Sequence, residues 1–138
     1  MRALLDTHTF LWWGADDPKL STRAREILAD DRNELLFSAV SGWEIAIKAA
    51  LGKLDNVPED LNGFIGEQIS ENTFTVLPIH LEHVLGVHAL PQHHRDPFDR
   101  LLIVQALAED IPLLSRDPQF APYSVNVVWL RTTPERDE

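Results

Sequence analysis

A three-layer α/β sandwich, with helices covering both faces of a mostly parallel sheet, is the fold class this sequence predicts. Short apolar runs of strand length recur along the chain, and segments with helical spacing separate them. That alternation implies right-handed crossovers between parallel strands. The 138 residues, 44% hydrophobic and 25% charged, are enough for one domain around one core.

The first strand candidate is Arg2 to Leu5, which ends at Asp6 and leads into a brief helix through Phe10 to Trp13. Pro18 to Ala29, PKLSTRAREILA, opens with proline and repeats apolar residues at Leu20, Ala24, Ile27 and Leu28, the spacing of a helix with one apolar face. Leu35 to Phe37 is a second strand. The segment SGWEIAIKAALGKL then reads as a helix capped by Ser41 and stopped near Gly52. Pro58 to Asn72 predicts a helix weakened by Gly63 and Gly66, and Phe74 to Ile79 alternates and branches as a third strand does. Leu81 to Leu90 predicts a short helix before the loop PQHHRDP. Pro97 to Glu109 follows as the most apolar helix of the chain, which places it near the centre. Leu113 and Leu114 form a short strand ending in SRDP, and Asn126 to Leu130 gives a last strand before the polar tail RTTPERDE.

Charge narrows the choice of partners. A net charge of −10 works against nonspecific attraction to phosphate backbones. The argument reverses locally if the acids crowd one pocket, because a divalent cation there inverts the field and neighbouring arginines can meet phosphate. The same excess of acid suits a basic protein partner. With no cysteine, the chain has no disulfide, thiolate metal site or cysteine nucleophile, and any metal is held by oxygen or imidazole. The opening MRALLDTHTFLWWG is interrupted by Asp6 and His8, so it supplies neither the apolar core of a signal peptide nor a span of about 20 apolar residues. The expectation is a cytoplasmic protein with no membrane association.

In a parallel sheet of this kind ligands collect beyond the C-terminal strand ends, where loops meet helix N-termini. The acids fall there. Asp6 closes the first strand, Glu44 lies in the first turn of the helix after the second, Asp96 and Asp99 open the apolar helix, and Asp117 follows the LLS run. Most have an ordinary structural explanation. Ser41 and Glu44 have the spacing of a capping box. Asp96 before Pro97, and Asp117 before Pro118, match an N-cap followed by proline at the first helical position. Asp6 also suits a turn or cap. Asp99 is harder to explain, because it shares a helix side with Leu102, Ile103 and Ala106, where an unpaired carboxylate costs several kcal/mol. Together, Asp6, Glu44, Asp99 and Asp117 bring like charges to one edge, and a hard divalent ion is the simplest counterweight. Oxygen ligation favours Mg²⁺ or Mn²⁺. Such an ion activates and orients water for in-line attack and steadies the leaving oxygen, which is phosphodiester hydrolysis. The competing reading is a noncatalytic interaction module, flavodoxin-like or similar, whose acids are only caps. A phosphoaspartyl hydrolase of the haloacid-dehalogenase type wants a D-x-D start, where this chain has Asp6-Thr7-His8.

The ordered segments LLDTHTFLWW, SAVSGWEIAIKAALGKL and HRDPFDRLLIVQALAEDIPLLSRDPQF resemble the PIN-domain family, specifically the VapC-like toxins of bacterial toxin–antitoxin pairs. The resemblance covers about residues 2 to 130, so a PIN-like nuclease domain is expected over 1–131 and a polar tail over 132–138. It implies a metal-dependent endoribonuclease with Asp6, Glu44, Asp99 and Asp117 as the acidic metal-site residues. Asp96, the added acid in DPFDR, is left open as cap, supporting group or ligand. Ser115 matches a small hydroxyl residue before the last acid and Thr7 follows the first, so either can orient a carboxylate or water, or simply serve a turn. Arg95, Arg100 and Arg116 adjoin the pocket in sequence and are candidates for RNA phosphate. His93 and His94 are read as loop residues placed to touch substrate, not as ligands or general bases. At least two of Trp12, Trp13 and Trp43 are expected on an apolar surface covered by a partner. The resemblance further implies an RNA substrate, a homodimer, and a small antitoxin whose basic tail crosses the acidic pocket.

Overall fold

The computed structural model describes residues 1–55 and 57–129. The strands β1 (Arg2–Leu5), β2 (Glu34–Ser38), β3 (Thr75–Leu77), β4 (Leu113–Leu114) and β5 (Val127–Val128) form one sheet in the order β3-β2-β1-β4-β5, with every pairing parallel. Between them run the helices α1 (Thr7–Ala15), α2 (Thr22–Ala29), α3 (Ala39–Ala50), α4 (Leu61–Asn72), α5 (Leu81–Gly86) and α6 (Pro97–Glu109).

The strands read as continuous apolar runs because both sheet faces are covered. Their period-two alternation divides the side chains between two cores. Ala3, Leu5, Leu35, Phe37 and Leu114 join Phe10, Leu20, Ala24 and Phe74 on one side. Leu4, Leu36 and Leu113 join Leu102, Ile103 and Phe120 on the other. Helix α6 is buried from Arg100 through Ala106, as its uniformly apolar sequence predicts. Gly86 lets α5 lie close against it, since a Cβ at that position would stand 2.7 Å from Val104 Cγ1.

Strand order positions the functional edge. From β1 the chain winds outward to β2 and β3, then crosses back to β4 and β5 on the other flank. The winding reverses between β1 and β4, and at such a switch point a crevice opens beyond the strands' C-terminal ends. Asp6 and Ser115 are the residues that leave those two strands.

Several helix starts differ from the sequence expectation, in each case because another side chain takes the cap. Asp6 accepts from Thr9 N at 2.8 Å and so starts α1 early. Ser21 accepts from Ala24 N at 3.1 Å, leaving Pro18 in the turn before α2. Asp60 accepts from Gly63 N at 3.0 Å and delays α4 to Leu61. Ser38, not Ser41, caps α3 by accepting from Val40 N at 2.9 Å. The end of α3 follows the expectation, with Gly52 at φ 69° and Lys53 N donating to Lys48 O at 2.9 Å. Leu130, the expected boundary at residue 131 and the tail to residue 138 lie outside the described residues.

Ser38 also donates to Gln105 Oε1, and the amide of Gln105 donates to Pro78 O at 3.1 Å. Ser38→Ala removes a cap and strands a buried acceptor. It is expected to cost about 2 kcal/mol in urea unfolding, against about 1 kcal/mol for Ser41→Ala, which breaks one hydroxyl bond.

Candidate functional site

Asp6 is the hinge of the site. Burial pushes its carboxyl above the ordinary aspartate range, and the hydrogen bonds from Thr9 and Ser115 only partly offset this. Ser115 Oγ donates to Asp6 Oδ2 at 2.7 Å and accepts from Asp117 N at 3.0 Å, so one buried hydroxyl ties the acid after β1 to the acid after β4. Asp6 and Asp117 line a common cavity. Asp117 also caps the 3-10 turn Pro118–Phe120, accepting from Gln119 N at 3.0 Å.

On the other flank, Thr7 connects β1 to α3. Its Oγ1 lies 2.7 Å from Glu44 Oε1 and 2.8 Å from Ser41 Oγ. A threonine has one proton to give, and the carboxylate is the stronger acceptor, so Ser41 donates to Thr7 and Thr7 donates to Glu44. Glu44 is buried in the second turn of α3, and the expected capping box with Ser41 is absent because Ser38 occupies the cap. The other carboxylate oxygen of Glu44 accepts from Lys48 Nζ one turn on. Partial burial disfavours the Lys48 charge, but Glu44, Asp96 and Asp99 outweigh it and raise its pKa.

The mouth of α6 completes the arrangement. Asp96 caps it, accepting from Asp99 N at 2.9 Å with Pro97 at the first helical position. Asp99 is half-buried and faces His94, whose Nε2 lies 2.8 Å from Asp99 Oδ2. Its carboxyl is pushed up to about 6, first by burial and then by the negative charges of Asp96, Glu44 and Asp6, against the lowering effect of His94. Asp99 therefore feels Asp96 at the cap of its own helix and acids from two other segments. Among the described residues no three acid or imidazole side chains converge tightly enough to hold an ion as they stand.

Acids from β1, α3, α6 and the turn after β4 thus meet at the switch point, in two groups that share Asp6. Capping and clustering coexist in Asp6, Asp96 and Asp117. Sequence reasoning did not anticipate Lys48, although its i,i+4 spacing from Glu44 is a legible ion-pair signal. It also passed over His94 as a partner of Asp99. Arg100 is a correction of a different kind. It is buried, and its guanidinium donates to the carbonyls of Pro91, Val87 and Leu90 at 2.8, 3.2 and 3.1 Å, so it holds the loop and does not face a substrate. Arg95 and Arg116 remain exposed. Of the three tryptophans, Trp43 alone is exposed, at 52%, and stands edge-on to Phe98. Trp13 is anchored in the fold by donating to Asn72 Oδ1 at 2.9 Å, and Trp12 packs against the core beside it.

The PIN domain family model matches residues 3–125. This chain belongs to the PIN domain family. A curated relative of this PIN domain is Ribonuclease VapC22 from Mycobacterium tuberculosis, 30% identical over 115 residues that cover 83% of this chain and 85% of the relative. Solved structures with the same fold include VapBC2 from Rickettsia felis bound to a DNA fragment from its promoter, at TM-score 0.69 and 15% identity over 92% of this chain and 97% of that one. FitAcB from Neisseria gonorrhoeae matches at TM-score 0.61 and 18% identity, covering 92% and 96% of the two chains. The predicted α/β sandwich and the family resemblance both hold. No helix among the described residues is long and apolar enough to cross a membrane.

Proposed function

We propose that this PIN domain is a divalent-metal-dependent endoribonuclease and the toxin member of a toxin–antitoxin pair. The observation that carries the reading is Asp99, pushed up to about 6 by burial and by the carboxylates of Asp96, Glu44 and Asp6. A structural cap does not need acids from two other elements, Glu44 of α3 and Asp6 after β1, brought to face it. A cation site does, because Lys48 alone leaves the cluster strongly negative.

The residues suit a hard cation. Asp6, Glu44, Asp99 and Asp117 supply only oxygen, and Asp96 is close enough in charge to join or support them. Mg²⁺ keeps several of its waters and takes one or two carboxylates directly, which fits acids that face one another without converging on one point. When bound, the ion supplies an activated water and charge neutralisation at the phosphate. The chain's own residues do the rest. Thr7 fixes one oxygen of Glu44, Ser115 fixes Asp6 against Asp117, and His94 fixes Asp99, so the carboxylates are oriented before substrate arrives. Lys48 stands beside the site as a cation able to meet phosphate once Glu44 has another partner.

An antitoxin with a basic tail fits the acidic crevice, and a toxin–antitoxin complex from Klebsiella pneumoniae is among the solved structures that share the fold. Exposed Trp43 and Ile47 on α3, with Leu51 just past its end, offer it an apolar contact beside Glu44. Exposed Leu81, Leu85 and Leu107 on α5 and α6 offer a surface to a second copy. The deciding experiment is cleavage of single-stranded RNA by the purified chain. Mn²⁺ is expected to support cleavage, excess chelator to abolish it and added Mn²⁺ to restore it. A chain that leaves RNA intact under every metal condition is the noncatalytic module instead.

A further inference from the structure

Beside the acids, on α1, Trp12 lines two cavities of about 210 Å³ each. One is shared with Asp6, His8, Arg116 and Asp117, the other with His8, Lys19 and Phe64. The ring of His8 lies nearly parallel to the indole, with centroids 5.7 Å apart and an interplanar angle of 23°. The guanidinium of Arg116 stands 5.5 Å from the same indole centroid and the ammonium of Lys19 at 5.8 Å. Arg116 Nη1 donates to Lys19 O at 3.0 Å, which couples the two cationic residues across 97 positions of sequence. Behind the indole, buried Trp129 meets it edge-on at 6.3 Å and 85°. Trp129 has φ 82°, a backbone region that a bulky side chain occupies only at a cost, so surrounding packing holds the buttress in place.

Core packing accounts for a half-buried tryptophan, but not for two cations gathered over its face at the edge of a pocket that also contains Asp6 and Asp117. Nucleic acid does account for it. A phosphodiester held at the acids carries a base and a further phosphate within one nucleotide's reach, and these match an aromatic face and a pair of cations. At Trp12 itself a basic tail would meet Arg116 and the Lys19–Asp17 pair, so its place is the Glu44 side of the crevice.

We propose that Trp12 and His8 form the stacking subsite for an unpaired nucleobase next to the scissile phosphate, with Arg116 and Lys19 receiving the adjoining phosphate. The inference rests on the ribonuclease reading and deepens it, because it assigns RNA with an unstacked base at that position as the substrate class.

The test is tryptophan fluorescence of the full chain in Ca²⁺, titrated with a short single-stranded oligoribonucleotide. The same strand is then used with an abasic residue at each position in turn. The intact strand is expected to quench, and one abasic position to weaken binding by roughly 5- to 150-fold. Trp12→Ala is expected to lose the same factor and to become insensitive to that abasic position. Trp12→Phe keeps a ring and most of the affinity, and Arg116→Ala weakens intact and abasic strands alike. In Mn²⁺ the Trp12→Ala effect should appear in KM, with kcat changed little. Should Trp12→Ala unfold by circular dichroism, His8→Ala and the abasic series on wild type carry the same prediction. Affinity indifferent to every abasic position, no binding of the strand to wild type, or Trp12-dependent binding of a lysine-rich peptide in place of RNA each overturns the subsite. Base-dependent binding without cleavage in Mn²⁺ upholds the pocket and overturns the ribonuclease reading alone.

Discussion

Asp99→Asn is expected to reduce RNA cleavage by at least about 100-fold, the upper end of what losing a group behind a metal ligand costs, while making the metal-free protein more stable at neutral pH. The two effects have one cause. Asp99 titrates at about 6 in the folded chain against 3.8 for an unperturbed aspartate. Between those values the folded state holds a proton that the unfolded state has released. The stabilisation this group provides is therefore complete below the unfolded pKa and is lost as pH rises through the folded one. For a side chain still partly in contact with water, the loss is on the order of 2 kcal/mol. Asparagine does not ionise, so the variant should escape it. Urea unfolding in chelator should show wild type losing stability from pH 4 to neutrality and the variant losing less. Metal binding should show the opposite trend, strengthening as Asp99 deprotonates. A variant that is less stable than wild type at neutral pH and equally active would mean that Asp99 is a structural acid.

Arg100→Ala is expected to destabilise the chain by about 3–5 kcal/mol, since each buried acceptor left unpaired costs about 1–3 kcal/mol. Its guanidinium ties the carbonyls of Val87, Leu90 and Pro91 together and reaches Tyr123 Oη at 3.3 Å. Tyr123 Oη in turn accepts from His93 N and His94 N at 3.1 and 2.8 Å. Removing the guanidinium leaves several buried acceptors unpaired and releases the loop that delivers His94 to Asp99. Arg100→Lys should rescue little, because one ammonium cannot span the fork. Urea unfolding gives the stability, and hydrogen exchange at residues 88–96 should rise in the variant. Unchanged exchange there would separate Arg100 from the loop.

What the sequence made legible follows from the kind of signal each feature carries. Strand identity, the parallel sheet and the central α6 are written in local periodicity, and the family resemblance extends along most of the chain. The C-terminal strand ends then place Asp6, Asp99 and Asp117 on one edge by topology alone. Local pattern also misleads. Ser41 and Glu44 have capping-box spacing, yet the strand β2 ends at Ser38 and hands it the cap, which frees Ser41 for Thr7. Arg100 looks like a surface cation because nothing nearby in sequence shows the carbonyls that fold over it. The Asp99–His94 contact needs the loop's path, set by Tyr123 from 29 positions away. The stacking of His8 on Trp12 is local in sequence, but its meeting with Arg116 depends on the pairing of β1 with β4.

The central claim is that carboxylates from four separate elements share one divalent cation. Isothermal titration of the wild-type chain with Mn²⁺ addresses it without reference to any substrate. Saturable binding is predicted, weakened in each of Asp6→Asn, Glu44→Gln, Asp99→Asn and Asp117→Asn. No measurable binding, or binding indifferent to all four substitutions, would contradict it.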